Sequence, residues 1–193
     1  MNTENRIITI IGEHADETED EILSRKVTDI DKIGKTFWLI KKISDKTQKE
    51  VQEFCENSES EVKIYFISPA SKANPTKGKT VNKEYFDGDN WKKIPEGISP
   101  VTGKGYAFIL KKLEMQDNSP KENFELFTQT KIDINEYAKE EALEPIKFNT
   151  NTSTILAIKE DMTAHPKKNI SNIRTVWAVG TLEKPYYVKV RNN

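Results

Sequence analysis

The chain has 193 residues, 30 basic and 31 acidic side chains, and a formal net charge of −1. One domain over residues 1–193 is the expectation for this length, and the 32 % charged and 35 % hydrophobic composition with three Trp, six Tyr and eight Phe supplies a core while keeping the surface polar. No apolar run approaches the ~20 residues of a membrane span, the opening Met1-Asn2-Thr3-Glu4-Asn5 has no basic n-region of a secretory signal, and the single cysteine, Cys55, excludes an intrachain disulfide and any zinc site needing two cysteines of this chain. A reducing, cytoplasmic setting is therefore expected.

The near-zero total hides a regional asymmetry. Residues 1–31 hold nine acids against three bases, a net of −6, and residues 71–112 hold nine lysines against four acids, a net of +5. A local positive surface attracts phosphate or an acidic partner.

In chain order, Arg6-Ile7-Ile8-Thr9-Ile10-Ile11-Gly12 reads as a buried strand. Thr18-x-x-Glu21 is a capping-box pattern ahead of Ile22, Leu23, Val27, Ile30 and Ile33, which share one helical face, and Gly34 is placed to end that helix. Thr36 to Ile40 is a second strand. Ser44 or Asp45 caps a second helix carrying Val51, Phe54 and Cys55. Glu61 to Ile67 alternates Val62, Ile64 and Phe66 with Lys63 and Tyr65, a third strand. This β-α-β-α-β order predicts parallel strands with helices packed on them.

After Pro69 the pattern changes. Residues 68–83 are a loop rich in Ser, Pro, Lys and Gly. Glu84-Tyr85-Phe86 and Trp91 to Ile94 flank Asp87-Gly88-Asp89-Asn90, a hairpin turn. Residues 95–105 form a second loop, followed by a strand over Tyr106 to Leu110. Asp133-x-x-Glu136 predicts a short helix through Leu143, stopped by Pro145. Thr154 to Ile158, Arg174 to Val179 and Tyr186 to Val190 read as three late strands. The predicted class is α+β: an N-terminal β-α-β-α-β unit followed by a mostly antiparallel remainder with a short helix.

Two constellations bear on chemistry. Glu13-His14-Ala15-Asp16 follows the first strand, where open α/β sheets place ligands. Glu13, His14 and Asp16 are candidate divalent-metal ligands or acid–base groups, while acids at this position also serve a helix N-terminus. Glu61 and Lys63 match the Glu-x-Lys part of a nuclease strand and share a strand face. These two sets support a metal-dependent nuclease or hydrolase as the competing expectation. No cofactor is expected.

The second constellation is the basic region, with Lys72, Lys77, Lys79, Lys83, Lys92, Lys93 and Lys104. Lysine beside glycine amides holds phosphate. Gly78-Lys79-Thr80 is not a P-loop, because position 73, where the first glycine must stand, is Ala73. Trp91, with Tyr85 and Phe86, sits among these lysines as single-strand binding surfaces require. The 26 lysines against four arginines favour contacts to a phosphate backbone over bidentate base reading. The leading expectation is thus a non-enzymatic module whose lysine-rich loops engage nucleic acid or an acidic protein surface. A third is a subunit of a larger homo- or hetero-oligomeric assembly, docked through the regions of opposite sign.

Overall fold

A computed structural model describes residues 6–14, 16–41, 45–67, 82–99, 105–116, 131–133, 143–147, 154–159 and 173–193. Their elements run β1 (Arg6–Ile10), α1 (Glu19–Ile33), β2 (Thr36–Lys41), α2 (Asp45–Glu56), β3 (Lys63–Ile67), β4 (Glu84–Phe86), β5 (Trp91–Lys93), β6 (Gly105–Met115), β7 (Lys131–Asp133), β8 (Leu143–Lys147), β9 (Thr154–Lys159) and β10 (Ile173–Arg191). This is an α+β fold opening on a β-α-β unit. No helix of the described residues is long and apolar enough to cross a membrane.

The capping box forms as the sequence predicts. The Thr18 hydroxyl accepts the Glu21 amide at 3.3 Å, and the Glu21 carboxylate accepts the Thr18 amide at 2.8 Å. Gly34 closes α1 in the left-handed region at φ 82°, its amide donating to the Ile30 carbonyl at 2.8 Å. Ile22 and Leu23 of α1 and Val51, Phe54 and Cys55 of α2 enter one main core, with Val27 and Ile30 against it.

The sheet order is β2-β6-β10-β3-β1-β9-β8, with β4, β5 and β7 attached beside it. β1 and β3 are parallel, as expected from the alternation of strands and helices. β2 is not their neighbour. It lies beside β6 and antiparallel to it, with β6 and β10 between β2 and β3. Local alternation says only that a strand follows a helix; the two longest strands, late in the chain, supply the better partners and insert themselves.

Period-2 alternation divides the residues between the two sheet faces. Ile7, Ile40, Ile64, Phe66, Tyr106, Phe108 and Leu110 meet the helices in the main core. Phe37, Ala107, Ile109, Val188 and Val190 form a second cluster on the other face, and Ile8, Ile67 and Val176 a third. A fully buried Phe or Ile side chain of this kind stabilises the fold by about 1.5–3 kcal/mol. Trp38 and Trp177 both pack against the main core, in keeping with the core role their strand positions suggest. The Trp38 indole N–H donates to the Thr9 hydroxyl at 3.2 Å. β2 and β1 are four strand spacings apart, roughly 19 Å in a flat sheet, so the sheet curls around the helical face.

Several boundaries differ from the sequence reading, most visibly that of Tyr106 to Leu110, which extends to Gly105–Met115 as β6. Glu61 precedes β3, which begins at Lys63. Asp133 ends β7 and Leu143 opens β8, so both bounds of the predicted short helix fall on strands, and residues 134–142 lie outside the described residues. Pro145 sits within β8, at the sheet end, where a missing amide donor is tolerated. Finally, Arg174 to Val179 and Tyr186 to Val190 are one strand, β10. It passes through a cis Lys184–Pro185 bond and a register shift between Leu182 and Tyr187. Proline there reads as a break, but pairing with β6 resumes beyond the bulge and carries the strand on.

Candidate anion-binding face

The acidic turn after β1 is built around His14 and Glu17. Their backbones exchange hydrogen bonds at 3.0 and 3.1 Å, and Asp16 between them takes φ 66°, a conformation that Asp tolerates through local hydrogen bonding. The Glu17 carboxylate accepts both Nε and Nη2 of Arg25, at 3.0 and 2.8 Å. Glu13 and Asp16 are exposed. Among the described residues no three His, Cys, Asp or Glu side chains converge as a metal site, so Glu13, His14 and Asp16 are not brought together with further ligands.

Glu61 and Lys63 do share a side of the sheet, with the ammonium 3.5 Å from the carboxylate. Glu61 is also paired with Lys111 at 2.5 Å, and Lys63 donates to the Thr181 hydroxyl at 3.0 Å. The hydrogen bond and charge of Lys111, with Lys63 behind it, hold the Glu61 carboxyl below its usual range. What stands there is a carboxylate neutralised by two lysines.

The basic region has a different geometry. β4 and β5 form a hairpin, and β4 adds to the end of β10. The turn forms at the predicted Asp87-Gly88-Asp89-Asn90. The Asp87 carboxylate accepts the amides of Asp89 and Asn90 at 3.0 and 2.8 Å, and Gly88 takes φ 110°. Lys92 pairs with Asp87 at 2.5 Å. Lys92 and those two amides hold the Asp87 carboxyl far below the usual carboxylate range.

Register decides which side chains share a face. Lys93 lies opposite Glu84, and Glu84 opposite Arg191; Trp91 lies opposite Phe86, and Phe86 opposite Lys189. Directly paired residues point the same way. Lys93, Trp91, Phe86, Glu84, Lys189 and Arg191 therefore form one face, with three cations against one carboxylate. The Arg191 guanidinium lies over the Trp91 ring at 3.8 Å, while its Nε donates to Glu84 at 2.9 Å. Phe86 and Trp91 have ring centroids 5.4 Å apart. Lys189 lies 5.9 Å from the Tyr106 ring centroid. Lys93, Lys189 and Arg191 are exposed, and Trp91 is half-buried.

The expected lysine set is thus divided. Lys93 and Trp91 belong to this face. Lys92, paired with Tyr85 in register, points to the opposite side, where Tyr85 packs on Phe37 at 5.2 Å. Lys83 is exposed and leads into β4, its backbone amide donating to the Arg191 carbonyl at 3.0 Å. Lys72, Lys77, Lys79 and Lys104 lie outside the described residues. Lys189 and Arg191 are absent from the sequence-based set because β10 brings them in from about a hundred positions away. The alternation Tyr187-Val188-Lys189-Val190-Arg191, apolar against basic, was the available signal.

A buried polar cluster lies at the start of the second basic loop. Lys26 and Asp29, one turn apart on α1, are only 5 % and 3 % exposed. The Asp29 carboxylate accepts the Ser99 amide at 2.8 Å, the Ser99 hydroxyl at 2.5 Å and the Thr36 hydroxyl at 2.7 Å. The Lys26 ammonium is 3.8 Å from the same carboxylate and makes no hydrogen bond. Burial lowers its pKa to about 8, against the opposing pull of Asp29. Cys55 is buried in the main core, and burial pushes its thiol pKa upward, so it packs as an apolar group.

No family model matches this chain, and neither a curated protein nor a solved structure is similar to it.

Proposed function

We propose that the chain is a non-enzymatic binding module for an anionic partner, a nucleic acid or an acidic protein surface. Its contact face is the side of β4, β5 and the end of β10 that carries Lys93, Lys189 and Arg191. The observation that carries this reading is the grouping of Lys93, Lys189 and Arg191 beside Trp91, with Glu84 the one acidic side chain on that face among the described residues. Cations on neighbouring strands reinforce one another toward a polyanion, and each phosphate they neutralise releases counterions. The −1 total charge does not oppose this, because the acids are concentrated elsewhere, in residues 1–31.

The metal-dependent alternative draws no comparable support. Glu61 is neutralised by Lys111 and Lys63, and Glu13, His14 and Asp16 meet no further ligand among the described residues. A cytoplasmic location belongs to the same proposal and rests on the single, buried cysteine.

Fluorescence anisotropy with a labelled oligonucleotide and with polyglutamate, over a range of salt, tests the reading. The Lys93→Glu/Lys189→Glu variant should bind at least tenfold more weakly at low salt, with a salt slope shallower by about 2. Unchanged affinity in that variant would remove the proposal.

A further inference from the structure

From the Arg191–Trp91 stack we infer that the partner is single-stranded nucleic acid, held by stacking an unpaired base on the half-exposed Arg191 guanidinium that Trp91 backs, while Lys93 and Lys189 take the phosphates. This rests on the binding face proposed above and names its ligand.

Three features favour a base over an acidic peptide. First, the site carries aromatic area as well as charge. Trp91 and Phe86 stand opposite one another on a hairpin, 5.4 Å apart, on the side away from the Tyr85–Phe37 packing. A carboxylate gains nothing from the aromatic area behind the guanidinium, whereas every base has a π-face to lay on the layered Arg191–Trp91 pair. Second, the platform is already assembled. The Asp87 turn and the Lys92–Asp87 pair fix the hairpin, and Arg191 is held over the indole by Glu84. A guanidinium oriented this way strengthens stacking by cation–π attraction and loses little further freedom on binding. Third, the two lysines flank the rings. Lys93 lies two positions beyond Trp91 on β5, and Lys189 lies opposite Phe86 on β10.

The same geometry argues against reading a sequence. The Arg191 fork is engaged by Glu84 and the indole, so it is not presented edge-on to a base, and lysine contacts a phosphate as a point charge. A duplex hides its base faces within the stack. Binding should therefore favour single strands over duplex and tolerate changes of base.

The experiment compares a labelled oligothymidine of roughly 12 nucleotides with an abasic strand of equal length, a duplex of equal length, and polyglutamate. The oligothymidine should bind five- to a hundredfold more tightly than the abasic strand and more tightly than the duplex. Trp91→Ala should reduce oligothymidine binding by a similar factor without weakening the abasic strand, and Trp91→Phe should retain part of the affinity. If Trp91→Ala does not fold, the abasic comparison on the unaltered protein decides the matter. Equal binding of abasic and intact strands, or of duplex and single strand, overturns the inference while leaving the anionic face in place. Binding to polyglutamate alone also overturns it. Binding to none of the polyanions overturns both.

Discussion

Asp29, in the C-terminal part of α1, receives the backbone amide and the hydroxyl of Ser99, a residue 70 positions further along the chain. Ser99 lies between β5 and β6, after the hairpin that carries Trp91 and Lys93. The first helix thus anchors the segment leaving the proposed contact face. Thr36, first residue of β2, donates to the same carboxylate, so one buried side chain ties three parts of the chain together.

Removing that carboxylate should be costly. Asp29→Ala leaves the Ser99 amide without its acceptor and the Lys26 ammonium without its counter-charge. A loss of about 3–5 kcal/mol is expected, read by urea denaturation. Asp29→Asn keeps one acceptor oxygen and should lose less. Equal stability of Asp29→Ala and the unaltered protein would contradict the anchoring role.

Lys26 gives a pH signature. Its folded pKa of about 8 lies below the ordinary 10.5 because burial disfavours the charged form. The unfolded chain therefore holds this proton more tightly than the folded one. Below pH 8 both states are protonated and the cost of the buried charge is fully present. Between pH 8 and 10.5 that cost is relieved, and stability should rise by about 3 kcal/mol in the limit. Lys26→Met should abolish the rise, because no titrating group then replaces the buried ammonium. Thermal melts of both proteins from pH 7 to 10 make the comparison.

Gly180 lies in β10 between β3 and β6. A Cβ there would stand 2.6 Å from Leu110 Cδ2 and 2.7 Å from Ile64 Cγ2. Both neighbours are buried and confined by the main core. Gly180→Ala should cost about 1–3 kcal/mol through overpacking. An unchanged melting temperature would show that the strands part freely.

Asp87 should titrate well below an ordinary aspartate. Its lowered pKa arises from the Lys92 hydrogen bond first and the Asn90 and Asp89 amides next. A depressed folded pKa contributes stability above the unfolded value of 3.8, and that contribution is lost as pH falls through the folded value. The Asp89 and Asn90 amide resonances should therefore hold their positions through pH 4 and move only at lower pH. Movement centred near 3.8 would mean that the turn is not held by this carboxylate.

Lys92 and Lys93 are adjacent in sequence and point to opposite sides of the hairpin. Lys93→Ala should reduce the salt slope of polyanion binding by about 1, whereas Lys92→Ala should leave it unchanged. Equal effects of the two substitutions would place the contact elsewhere.

The sequence alone determined what depends on neighbouring residues. The Thr18–Glu21 box and Gly34 set the ends of α1, Asp87 to Asn90 set the hairpin turn, and the alternation of Val62, Ile64 and Phe66 showed which side of β3 enters the core. Each rests on hydrogen bonds or periodicity spanning a few positions. Only the tertiary structure decided that β2 stands beside β6 instead of β1, that β10 continues past Pro185, that Ser99 rests on Asp29, and that Arg191 covers Trp91. These pairings join residues far apart in the chain, and a strand's edge hydrogen bonds fit almost any other strand. The choice among partners is made by how the whole set of apolar faces can be buried at once, a property no single segment carries.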